Sequence, residues 1–203
     1  MAEIINRSPA CPEASRPGQF GAPAPRAGIT FSARAGLTLI DLRGNPRHAE
    51  FLASAQSSLG CVLPLTPNTA ASGADCNVLW LGPDAWLVVS GRAEKINGTL
   101  PIERGFLTDV SHGRAALRIS GPHTRELLAK GCGIDLHPRV FQAGHCAQTS
   151  LAHVGVLLHL QDAGGMFDLY CARSYAQHLW HWLAEAAGEY GYEVVAPLEM
   201  REG

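Results

Sequence analysis

Lysine is almost missing from this chain: Lys95 and Lys130 are the only two. The arginines are scattered and the formal net charge is −2. No basic stripe is present to follow a phosphate backbone, which argues against nucleic-acid binding. Acidic residues are equally unclustered, so nothing points to a polycationic partner. C-x-x-C spacing is also missing among Cys11, Cys61, Cys76, Cys132, Cys146 and Cys171. In a chain of 203 residues these do not read as a disulfide framework. They are expected to be reduced, mostly as small buried hydrophobes in a cytosolic protein. No apolar run approaches the ~20 residues that cross a bilayer; the longest is VGVLLHL at Val154–Leu160. The opening residues Met-Ala-Glu-Ile-Ile-Asn-Arg show no charged region followed by an apolar one. No signal peptide, no membrane association and a cytoplasmic location are therefore expected. Neither G-x-G-x-x-G after a strand nor G-x-x-x-x-G-K-[ST] occurs, so the chain is expected to hold no nucleotide cofactor.

What is present is apolar side chain, 46% of the residues, enough for a sizeable core. The length fits one large domain or two small, intimately packed ones. Residues 8–27, SPACPEASRPGQFGAPAPRA, hold five prolines and show no periodicity. They are expected to form no core element, and to be either a disordered tail or an extended arm on a partner subunit. The division expected is an arm or tail over 1–28 and a single α+β domain over 29–200. That domain would contain two pseudo-repeats, about 30–105 and 106–195.

Each pseudo-repeat has the order β-α-β-β-α. In the first, Leu37–Leu42 reads as a strand. Asn45-Pro46 then supplies a cap and first-turn proline for a helix carrying Phe51, Leu52, Ala55 and Leu59. NVLWL and AWLVV, split by Gly82-Pro83-Asp84, read as a hairpin. RAEKIN predicts a stunted second helix. In the second, RAALRIS alternates, and Gly121-Pro122 opens a helix with Leu127 and Leu128 that Gly131 ends. VGVLLHL and MFDLYC pair across Gly164-Gly165. A last helix starts at Ser174, with Ser174 and Gln177 as a capping box, and stops at Gly188. Leu179, Trp182, Leu183 and Ala186 are its expected core stripe. Pro46 and Pro122, and Trp86 and Phe167, repeat the same places at a nearly constant offset. The fold expected is a tandem of two split-βαβ, ferredoxin-like units.

Three clusters carry possible chemistry. Asp109, Ser111 and His112 place an acid, a hydroxyl and an imidazole within four residues. A nucleophile needs a base in hydrogen-bond reach of its hydroxyl and a third group to orient that base. On a strand, Asp109 and Ser111 share a face and His112 takes the other, so the cluster reads as a polar turn before RAALRIS. No catalytic residue is assigned. His178, His181 and Glu185 fall on one helical face, a loose match to a metal pattern; they read as the solvated side of the helix, and no metal site is assigned. Cys132 beside Lys130 reads as a buried thiol after a helix end, against a reactive one.

The stretch DVSHGRAALRISGPHTRELLAKGCGIDL resembles the T-protein (aminomethyltransferase) family through Asp109, Ser111, His112, Gly121, Pro122, Leu128 and Asp135. LGPDAWLV, TDVSHGRAALRISGP, LLAKGCGIDLHPRVFQAGHCAQTSLAHVGVLL and RSYAQHLWHWL more fully resemble the gamma subunits of heterotetrameric sarcosine oxidases. That resemblance spans about residues 75–190. It implies a T-protein-like fold, with Asp109, Ser111 and His112 as a fold marker. It also implies a non-catalytic subunit of a complex that demethylates sarcosine to glycine, passes the one-carbon unit to tetrahydrofolate and reduces oxygen to peroxide. The partners implied are larger alpha and beta flavoprotein subunits and a small delta subunit. These would hold FAD, FMN, NAD and tetrahydrofolate, while this chain holds none. T-proteins carry a catalytic aspartate in a Gly-rich hairpin, whereas the matching stretch LAHVGVLLHL has no acid. Two alternatives stand beside this reading: a free-standing folate-binding or aminomethyltransferase-like protein, and an accessory subunit of another N-methyl amine-oxidising complex.

Overall fold

Two strand-rich halves, each with an apolar stripe on both sides, must bury four faces. In the computed structural model, which describes residues 10–22, 27–91 and 101–199, they do so as two sheets packed face to face with helices outside. The strands are β1 (Gly18–Phe20), β2 (Ile29–Ala35), β3 (Thr38–Gly44), β4 (Ala70–Ser72), β5 (Cys76–Gly82) and β6 (Ala85–Ser90). They continue as β7 (Gly105–Asp109), β8 (Arg114–Ser120), β9 (Cys146–Leu151), β10 (Val154–Leu160), β11 (Phe167–Ala172) and β12 (Tyr192–Glu199). The α-helices are α1 (Ala49–Leu59), α2 (Thr124–Ala129) and α3 (Ala176–Ala187).

The first sheet has the order β4-β5-β6-β3-β7 and the second β1-β12-β2-β8-β11-β10-β9. In the first, β6 lies between β3 and β5, with β7 beyond β3, the split-βαβ pattern the sequence predicts. The second repeats it with β8, β10, β11 and β12, except that β2 occupies the place between β8 and β12. The strand β2 runs parallel to β12 and antiparallel to β8. It then turns at Gly36 (φ 68°) and re-enters the first sheet as β3. The strands thus cross the expected division near residue 105: β2 belongs to the second sheet and β7 to the first.

Three apolar layers follow. Phe51, Ala55 and Leu59 of α1 cover Ile40, Leu42, Val78, Trp86 and Val88 on the outside of the first sheet. Leu39, Leu79, Leu87 and Val89 meet Leu157 and Tyr170 between the sheets. Leu127 and Leu128 of α2, with Leu179, Trp180 and Leu183 of α3, cover Phe31, Ile119, Val156, Leu158 and Leu169. A strand sandwiched this way is apolar on both faces, which is why all six residues of β6 are buried. Both predicted hairpins form, β5 with β6 and β10 with β11.

Several local expectations are corrected. The helix α1 begins at Ala49, not at Pro46; the Asn45 side chain instead accepts the Arg47 N–H, closing a turn ahead of it. Arg173–Tyr175 form a 3-10 turn before α3, and Ser174 supplies no cap. The core stripe of α3 is Ala176, Leu179, Trp180, Leu183 and Ala187. Trp180 makes edge-on contacts with Phe31 and Tyr192, at 5.2 and 6.4 Å, while Trp182 is only partly buried, against Gly131. Part of the Pro-rich segment also has a core role. Cys11 and Ala14 are buried, β1 pairs with β12, and Phe20 stacks on Tyr192 at 5.2 Å. Residues 10–22 thus lie on this chain's own second sheet, with Pro12 and Pro17 placed outside the strand. Residues 1–9, 23–26 and the predicted RAEKIN helix fall outside the described residues.

Candidate functional site

In the DVSH stretch the acid and the hydroxyl stay together as β7 ends, while the imidazole is exposed. Asp109 is the last residue of β7, and Ser111–Gly113 form a 3-10 turn leading into β8. Both the backbone N–H and the hydroxyl of Ser111 donate to Asp109 Oδ1, at 2.8 and 2.5 Å. The hydroxyl oxygen in turn accepts the Leu39 N–H at 2.9 Å. Its donor and an acceptor site are thus engaged in joining β7 to β3. His112 is exposed in the turn.

His178, His181 and Glu185 all stay on the exposed face of α3. His181 Nε2 meets Glu13 at 2.9 Å, holding the N-terminal segment on α3. Among the described residues no three His, Cys, Asp or Glu side chains gather as metal ligands would. The Lys130 ammonium lies against Glu189, donates to the Ala186 carbonyl at 2.5 Å and sits 4.4 Å from the Tyr190 ring centre. It thereby joins the end of α2 to the end of α3. Cys132 Sγ lies 3.9 Å from Thr149 Oγ1 and is partly buried.

A polar row inside the second sheet escapes the sequence reading. His159, Asp168, Arg118 and Ser32 face one another across β10, β11, β8 and β2. Arg118 grips Asp168 with two bonds of 2.7 Å, and the Asp168 residue is 1% exposed. Gln161 Nε2 reaches both Asp168 Oδ2, at 2.9 Å, and His159 Nδ1, at 2.8 Å. Burial pushes the His159 imidazole down to about 4, so it is neutral at pH 7. The same cause pushes the Tyr170 phenol up. The signal for this row is a charged residue midway along two apolar strands, LRIS and FDLY. Its registry is what the sequence does not provide.

Where β2 leaves the second sheet, a cavity of about 200 Å³ opens between β2, β8, α3 and the N-terminal segment. Arg34, Arg114, Arg173 and Ser111 line it together with alanines and leucines.

Two ferredoxin-like sheets packed face to face define a T-protein-like fold. The glycine cleavage system aminomethyltransferase T from Bartonella henselae has it, with a TM-score of 0.54 over 78% of this chain and 46% of that one. At 14% identity that likeness concerns the fold alone. Residues 43–189 match the sarcosine oxidase, gamma subunit family, and the chain belongs to that family. It is 34% identical over 164 residues to a sarcosine oxidase subunit gamma of Corynebacterium sp. (strain P-1), covering 78% of this chain and 80% of that one. A subunit gamma from Arthrobacter sp. is 34% identical over 173 residues, covering 83% and 82%. A chain of the heterotetrameric sarcosine oxidase from Corynebacterium sp. U-96, solved in complex with pyrrole 2-carboxylate, superposes with a TM-score of 0.74. It is 30% identical and covers 86% of this chain and 90% of that one.

Proposed function

We propose that this chain is the non-catalytic gamma subunit of a cytoplasmic heterotetrameric sarcosine oxidase. The observation that carries this reading is the near full-length likeness to a chain of such a complex, 90% of which is covered. The complex oxidatively demethylates sarcosine to glycine, passes the one-carbon unit to tetrahydrofolate and reduces oxygen to peroxide. Alpha, beta and delta subunits are its partners, and FAD, FMN, NAD and tetrahydrofolate are held by them.

The chain's own residues support an assembly role. The Ser111 hydroxyl serves the Leu39 backbone and the Asp109 carboxylate. The cavity beside Arg34, about 200 Å³, is below the roughly 300–1,000 Å³ of sites for ligands of folate size. Its lining includes three arginines and, among the described residues, no carboxylate to pair with a pterin ring.

The test is cofactor content. The purified chain is expected to be colourless and to show no tetrahydrofolate binding by equilibrium dialysis, with both properties appearing only in the assembled complex. A yellow chain with stoichiometric flavin would overturn the cofactor-free reading, and a chain binding tetrahydrofolate alone would favour the folate-binding alternative.

A further inference from the structure

The side chains of Cys61 and Cys76 meet in the core beneath α1. Cys61 follows the end of that helix, and Cys76 opens β5. Both are buried, 8% and 4% exposed. The Cys76 thiol donates to the carbonyl of Leu59, two residues before Cys61, at 3.4 Å. The backbone closes on the same point. Gly73 N–H donates to the Cys76 carbonyl at 2.8 Å, and a Cβ added at Gly73 would stand 3.1 Å from Cys61 Cβ. The two thiols hydrogen-bond to each other, so neither is a solitary filler of the core.

That bond makes the pair unequal. It draws the Cys61 thiol below its ordinary range and pushes the Cys76 thiol up, with burial adding to the second shift. Cys61 therefore forms the thiolate, the nucleophilic species, and Cys76 keeps its proton. Cys146 and Cys171 give the contrast: burial pushes both up to about 11, where a thiol stays protonated at pH 7 and inert. A thiolate with a second thiol in reach is the arrangement in which oxidation runs on to a disulfide.

The loop between the two cysteines ties the sheets together. Trp86 Nε1 of the first sheet donates to the Pro64 carbonyl at 2.7 Å. Cys146 N–H of the second sheet donates to the Asn68 carbonyl at 2.9 Å, and Ala70 N–H donates to the Gly144 carbonyl at 2.7 Å.

We propose that Cys61 and Cys76 are a peroxide-reactive dithiol that closes to a disulfide across the base of this loop. The Cys61 thiolate attacks one oxygen of hydrogen peroxide. The O–O bond breaks, and hydroxide leaves with the electron pair and takes up the proton that Cys61 released. The resulting Cys61 sulfenic acid is attacked by the Cys76 sulfur, which gives up its proton as the S–S bond forms and a second water departs. Two thiols and one peroxide thus become one disulfide and two waters, the sulfurs losing the two electrons that the peroxide oxygens gain. Peroxide is a product of the complex proposed above, but the chemistry of the pair does not rest on that reading.

Peptide mapping of the full chain tests this. The chain is exposed to hydrogen peroxide without sarcosine, and its remaining thiols are blocked with N-ethylmaleimide in denaturant. Asp-N protease then cuts before Asp75, which puts the two cysteines in separate peptides for mass spectrometry. Two of the six thiols are expected to be lost, in one pair of peptides that joins Cys61 to Cys76 and that dithiothreitol separates. Cys61→Ser should slow oxidation of Cys76 about tenfold or more. Cys76→Ser should leave Cys61 as a sulfenic acid that dimedone labels, and Cys146→Ser should leave the link intact. Should a serine variant fail to fold, the map of the unaltered chain carries the test. Absence of the Cys61–Cys76 link, oxidation spread evenly over the six cysteines, or undiminished oxidation of Cys76 in Cys61→Ser overturns the proposal. No turnover is measured, so such a result leaves the reading of the complex standing.

Discussion

Leu39 and Ser111, seventy-two residues apart, meet where the chain passes between its two sheets: the Leu39 N–H donates to the Ser111 hydroxyl at 2.9 Å. Leu39 is the second residue of β3, just after β2 has left the second sheet, and Ser111 lies between β7 and β8, where the chain returns. A carbonyl bond from Val110 N–H to Leu39, at 2.8 Å, completes the clip. One hydroxyl therefore fixes both crossings. Ser111→Ala is expected to cost about 1–2 kcal/mol in urea unfolding, through an orphaned amide. It should leave kcat of the assembled oxidase within about twofold. A loss near the ~100-fold typical of a removed acid–base group would instead mark Ser111 as catalytic.

The Arg118–Asp168 pair predicts a different scale. Asp168→Ala leaves the Arg118 guanidinium without its two bonds in the second sheet. Removing one partner of a buried pair costs about 3–5 kcal/mol. Arg118→Met with Asp168→Leu, which removes both charges, should cost markedly less. Denaturant midpoints of the single and double variants check the order.

His159 sets a pH dependence with a definite sign. Its folded pKa is about 4, lowered by burial from 6.5. Between these values the unfolded chain binds the proton that the folded chain refuses, so stability rises with pH across that window. The contribution is about 3 kcal/mol, complete above pH 6.5 and lost as pH falls towards 4. His159→Gln should flatten the stability–pH curve there. An unchanged slope would show that other groups carry it.

The two tryptophans of α3 should behave unequally. Trp180, 6% exposed and against Phe31 and Tyr192, should cost about 3–5 kcal/mol when replaced by alanine. Trp182→Ala, at a half-buried position, should cost less than half as much. Thermal unfolding of the two variants gives the comparison.

Deleting residues 1–22 is expected to weaken the body, because Cys11 and Ala14 leave the second core and β12 loses its β1 partner. The expected loss is roughly 2 kcal/mol or more. Urea unfolding of full-length and truncated chains reads it directly. Identical curves would make the segment a passive tail.

Much of this fold is legible locally. Turn residues at Gly82-Pro83-Asp84 and Gly164-Gly165 announce both hairpins, and the spacing of Phe51, Ala55 and Leu59 announces the buried face of α1. Alternation, however, gives a strand's faces and not its neighbours. The parallel pairing of β2 with β12 joins Thr30 to Glu193, and no local signal reports such a pairing. The same limit conceals the His159–Asp168–Arg118 row, whose members are unremarkable until registry aligns them. The N-terminal segment misleads for a compositional reason: five prolines suggest no structure, yet a short edge strand and one 3-10 turn fit between them. DVSH reads as a polar turn, and Ser111–Gly113 form a 3-10 turn that leaves His112 exposed.

Native mass spectrometry of the complex recovered through a tag on this chain tests the central claim most directly. The account predicts a heterotetramer with this chain beside three different partners, with the flavin on the larger chains. A monomer or homo-oligomer of this chain that turns over substrate by itself would contradict it.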